Sequence, residues 1–147
     1  MPQNQFPWNS PPNGLRESAQ PNAAYNTDTS TAAHTVVAAK LTGGASQVTL
    51  AMTGALTVAA TATTDTATNI VAAIPTAQRY VGSSYKLRVI NESSGAFAWT
   101  IAGGTGVTIT GTATVAQNTW REFQVSITAL GATPAVTFQN VGTGTYS

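Results

Sequence analysis

The stretch WREFQVSITAL, residues 120–130, alternates without a break. Phe123, Val125 and Ile127 fall on one side, and Glu122, Gln124, Ser126 and Thr128 on the other. A helix would scatter both sets around its circumference, whereas an extended strand separates them cleanly. The same period of two recurs through the second half of the chain. Tyr85, Leu87 and Val89 oppose Lys86 and Arg88. Phe97, Trp99 and Ile101 share a side, and Val107 and Ile109 oppose Thr108, Thr110, Thr112 and Thr114. Val136 and Phe138 close the series. Earlier runs are HTVVAAKLT, SQVTLAMTG (Val48, Leu50 and Met52 on one face) and ALTVAATATT. Glycine, asparagine, serine and proline punctuate these runs at spacings of roughly 10 to 12 residues, the rhythm of an all-β domain. The expected fold is an all-β, antiparallel β-sandwich, jelly-roll-like, over residues 32–147. One segment departs from it. TNIVAAIPTAQRY has helical spacing from Ile70 to Ile74 and a stop at Pro75. No repeat of fixed period supports a solenoid.

Residues 1–31 read differently. They hold Pro2, Pro7, Pro11, Pro12 and Pro21 among many Asn and Gln. Proline lacks a ladder donor and restricts the residue before it, so neither helix nor central strand is expected. Aromatic residues are depleted in ordinary disorder, yet Phe6, Trp8 and Tyr25 stand here. The segment is expected to be an extended arm that lies along a partner, with a simple disordered terminus as the alternative.

Charged residues make up 7% of the 147, and the formal net charge is +1. No basic field draws in nucleic acid, since Lys86 and Arg88 form only a small stripe. Cysteine is absent, which removes disulfides and thiolate metal sites. The opening residues lack a basic region followed by an apolar run, so no secretory leader is expected. No apolar run approaches the roughly 20 residues of a membrane helix.

Catalytic and cofactor signals are weak. Gly103-Gly104-Thr105-Gly106 resembles a phosphate loop, but no lysine follows and the next segment alternates as a strand. A hairpin tip is the expectation there. His34 is the only histidine, with no carboxylate at ligand spacing and no serine in a nucleophile elbow. It reads as a surface or packing residue. Glu92 and Glu122 are the conceivable glycosidase pair, but cross-strand pairing with Arg88 or Arg121 is favoured. Asn91-Glu92-Ser93 fits a glycosylation pattern by chance. Neither catalytic residues, a metal nor a cofactor is expected. Trp99 belongs to the core by its alternation. Trp120 breaks the inward register, so it either packs over the sandwich end or stands at an interface.

Residues 83–144 carry a resemblance. LRVINESSGAFAWTI, GGTGVTITGT, NTWREFQV and VTFQNVGTG resemble segments of virion structural proteins of tailed bacteriophages, nearest in look to head decoration (cement) proteins. The resemblance implies a small β-rich fold that binds the outer capsid surface after synthesis in the host cytoplasm. It implies a homo-oligomer, dimer or trimer, that clamps neighbouring major capsid protein subunits. No catalytic residue transfers with it. Candidate partner-binding residues are Phe6, Trp8, Tyr25 and Trp120. Similar blocks in tail or fibre proteins imply the alternative: a domain that binds host glycan or anchors a receptor-binding protein.

Overall fold

The computed structural model describes residues 23–43 and 46–146. Phe6 and Trp8 lie outside the described residues. The strands are β1 (Ala23–Asp28), β2 (His34–Val36), β3 (Gln47–Met52), β4 (Ala60–Thr64), β5 (Ser84–Asn91), β6 (Trp99–Ala102), β7 (Val107–Thr110), β8 (Thr114–Val115), β9 (Thr119–Ala129) and β10 (Ala135–Thr145). Two short helices, α1 (Ala38–Leu41) and α2 (Ala67–Ala73), lie between them. One sheet has the order β1-β3-β5-β9-β10-β7 and the other β2-β4-β6-β8.

The all-β, two-sheet expectation holds, and its antiparallel part is corrected. Among the described residues the ladders β1/β3, β3/β5, β2/β4, β4/β6 and β7/β10 are parallel; only β5/β9, β9/β10 and β6/β8 are antiparallel. That is not the all-antiparallel arrangement of a jelly roll. Alternation reports that one face of a strand is buried, not which way its neighbour runs. Direction is set by the connections. From β1 to β6 the chain crosses to the other sheet after every strand. It regains the first sheet only after a full circuit, and so arrives running the same way. The first coil is β1, β2 and α1, the second β3, β4 and α2, and the third β5 and β6. Ala23 sits beside Gln47, 24 residues on, but Gln47 beside Lys86, 39 residues on. Unequal coils leave no fixed period in the sequence.

Both sheets turn their alternating apolar residues into one core. Val48, Leu50, Met52, Leu87, Val89, Phe123, Val125, Val136 and Phe138 come from the larger sheet. Val36, Ala62, Trp99, Ile101 and Val115 come from the smaller. Small Ala60 and Ala62 stand in register beside bulky Trp99 and Ile101, large against small as close packing requires. Leu41, Ile70 and Val71 add the helical contribution, and Ile74 packs in just past α2. Buried Tyr85 donates its hydroxyl to the Leu41 carbonyl at 2.6 Å, and burial pushes its phenol well up. The expected helix is present. Thr66 caps it by accepting the Asn69 amide, and Ile74, ahead of Pro75, is extended because a residue before proline avoids helical geometry.

Three further expectations change. Residues 23–28, assigned to the arm, form β1 in the larger sheet, so the folded part begins before residue 32. Phe97 does not join Trp99 in the core. Strand β6 starts at Trp99, the chain turns at Gly95–Phe97, and Phe97 is 38% exposed. The glycines at 103–106 do not form a hairpin tip, because β6 and β7 belong to different sheets. They carry the chain across the end of the molecule.

Candidate interaction surface

Residues that alternate with the core form the outer face of the larger sheet. Register sets Tyr25, Thr49, Arg88, Glu122 and Gly142 in one row across five strands. The next row is Thr27, Ala51, Ile90, Trp120 and Gly144. Glu122 is the electrostatic centre. Its Oε2 accepts from Arg88 Nη2 at 2.8 Å, and its Oε1 lies 3.2 Å from Lys86 Nζ. Burial opposes ionisation of this carboxyl, but the hydrogen bonds and charges of Arg88 and Lys86 outweigh it and hold it below its ordinary value. The expected cross-strand pairing is therefore present with Arg88. A carboxyl held ionised in this way is a poor proton donor.

Arg88 also covers Trp120, its guanidinium carbon 4.4 Å from the ring centre. Below, the ring lies on bare backbone. A Cβ at Gly144 would fall 2.6 Å from the Trp120 ring, closer than real atoms approach. Glycine is needed there for close approach, not for its backbone angles. Trp120 thus packs and faces outward at once, half-buried on β9. Tyr25 is 63% exposed. Tyr146 donates its hydroxyl to the Asn91 carbonyl at 2.9 Å. Burial and the neighbouring Glu92 carboxylate raise both phenols. Tyr25 and Trp120 are thereby brought to one face, together with Arg88, Glu122 and Tyr146. Alternation had marked Arg88 and Glu122 as outward. Tyr146 follows the last alternating run and had no sequence signal.

The other candidates are structural. Asp28 is 2% exposed and accepts from the Ser30 amide at 3.0 Å and Lys40 Nζ at 2.9 Å. His34 Nε2 stands 3.2 Å from the same carboxylate, and its ring meets Trp99 edge-on at 5.4 Å. This cluster ties the turn after β1 to α1. Two of the amides a phosphate would use are already engaged at the glycine crossover. Thr64 Oγ1 accepts from Gly104, and the first amide of α2, Ala67, donates to the Thr105 carbonyl. Asn91 is fully buried. Its amide donates to Phe97 and Val115 and its oxygen accepts from Ser93, so in the folded chain Asn91 serves the core. Among the described residues there is no concave pocket, no cluster of three metal-ligating side chains and no helix long and apolar enough to cross a membrane. Comparison of the chain with protein-family models, with curated proteins and with solved structures finds no match.

Proposed function

We propose that this chain is a structural virion protein that decorates the outside of a phage capsid and cross-links major capsid protein subunits as a homo-oligomer. The observation that carries the reading is the outer face of the larger sheet. It is broad, pocketless among the described residues and of mixed charge, with Trp120 and Arg88 locked in place. A surface of this kind suits another protein surface, where aromatic and Arg anchors carry most of the binding energy. The resembling residues, 83–144, supply Arg88, Trp120 and Glu122 of that face. We read the two sheets sharing one core as a β-sandwich. Many weak contacts on one shell would sum to a large stabilisation.

The test adds the purified protein to undecorated shells of its virus and measures saturation and shell melting. Expected are hundreds of copies per shell, the number a decorated lattice requires, and a raised melting temperature; Trp120→Ala should weaken coating. Deletion of residues 1–22, which spares β1, tests the arm: coating as tight as the full chain's would sink it. The second reading, a glycan-binding tail or fibre domain, is favoured by the exposed Tyr25 ring beside the Glu92 carboxylate. It predicts a few dozen copies per particle and saturable binding to host glycan.

A further inference from the structure

Among the described residues four strands end a sheet: β1 and β7 in the larger, β2 and β8 in the smaller. An edge strand presents unpaired amides and carbonyls, and proteins ordinarily guard it with short length, charge, proline or a bulge. The last three edges are guarded by shortness. β2 has three residues, β8 two, and β7 four between Gly106 and Gly111, both at positive φ. β1 is six residues long, AAYNTD, and registers with β3 without a bulge. Its one charge, Asp28, is turned inward and paired. It holds no proline, and Ala23, Tyr25 and Thr27 are exposed and uncharged. Residues 1–22 lie outside the described residues; their sequence holds five prolines, one of them Pro21 beside the strand, and proline has no ladder donor.

We propose that β1 pairs antiparallel with β1 of a second copy across a two-fold axis. Self-pairing of one strand is isologous and closes at two copies, whereas pairing β1 with β7 would propagate a filament. The two larger sheets then run on as one, and the two outer faces, with Tyr25 at the seam, become a single surface. This deepens the proposed function by giving its homo-oligomer an interface, and it rests on that reading only for the purpose of the dimer.

The test is sedimentation of the full chain at micromolar concentration, expected to show a dimer. Thr27→Lys leaves the monomer fold intact, because the side chain is exposed. It puts a like charge on each copy along the seam and should weaken the dimer roughly tenfold, with recovery in high salt. The chain has no cysteine, so single cysteines report cleanly. In one of the variants Ala23→Cys, Tyr25→Cys and Thr27→Cys, oxidation should link two copies, because opposed strand residues approach within disulfide range. Thr110→Cys on β7 should stay unlinked. A monomeric full chain, a dimer indifferent to Thr27→Lys, or linking only through Thr110→Cys would overturn the proposal. So would a chain that dimerises only after residues 1–22 are deleted, which would make that segment the occupant. A monomer that still coats shells would overturn this interface and leave the decoration reading standing.

Discussion

At the scale of single residues, two positions carry unusual weight. Asp28 is buried with a cation on one oxygen and an amide on the other. Burial opposes its charge, but the bonds from Ser30 and Lys40 and the nearby His34 outweigh burial, so its folded value lies well below the ordinary one. A carboxyl depressed on folding stabilises above its unfolded value, about 3.9, and loses that contribution as pH falls toward the folded value. Asp65 and Glu122 shift the same way. Melting temperature should therefore stay level down to about pH 5 and drop below about pH 4. Asp28→Asn should cost about 2–3 kcal/mol at neutral pH and flatten the acid limb; an unchanged limb would remove Asp28 from this role. Gly144 is the second case. Gly144→Ala forces the Trp120 ring off its seat and should cost about 1–3 kcal/mol, as overpacking does. In a Trp120→Ala background most of that cost should vanish. Equal costs in the two backgrounds, read by denaturant unfolding, would show that the ring is not what the methyl meets.

At the scale of elements, Asp65 joins what the sequence kept apart. One oxygen accepts from Ala38, the first residue of α1, and the other from Thr66 and Asn69 at the start of α2. Asp65→Ala should cost about 1–3 kcal/mol and speed amide exchange at Ala38 and Thr66 together; acceleration at one helix alone would contradict the shared cap. Strand faces and the Pro75 stop were legible because period and proline act locally. Trp120 was legible as outside the inward register of Phe123, Val125 and Ile127, but whether it packs or stands at an interface was not. Phe97 misled because alternation cannot see that the strand starts two residues later. The glycine crossover misled because a turn within one sheet and a passage between sheets ask the same freedom of glycine. The outer-face site was half legible. Its charges showed in the alternation, but their union with Tyr25 and Tyr146 depends on β1 joining the sheet and on the end of β10, both long-range outcomes.

At the scale of the whole molecule, unequal coils hid the winding topology and now govern how the chain should fold. Each parallel ladder between coils joins residues 24 to 39 apart, as Ala23 to Gln47 and Gln47 to Lys86 show. None can form before the chain has closed a loop through the other sheet, and that entropy is lost before any contact offsets it. The helices are too short to nucleate independently. The antiparallel pair β9 and β10 is the exception, joined by a short turn and paired over most of its length. It should form first and template β5 on one side and β7 on the other. Because both sheets share one core, partial products bury little, and unfolding should be a single transition with fluorescence and circular dichroism coincident. Folding should take milliseconds to seconds, in the range of β-rich, non-local topologies. Val125→Ala, in the template, should slow folding, while Val36→Ala, in the first coil, should mainly speed unfolding. Stopped-flow refolding reads both. A refolding rate slowed as much by Val36→Ala as by Val125→Ala would mean that the coils form together with the hairpin rather than upon it.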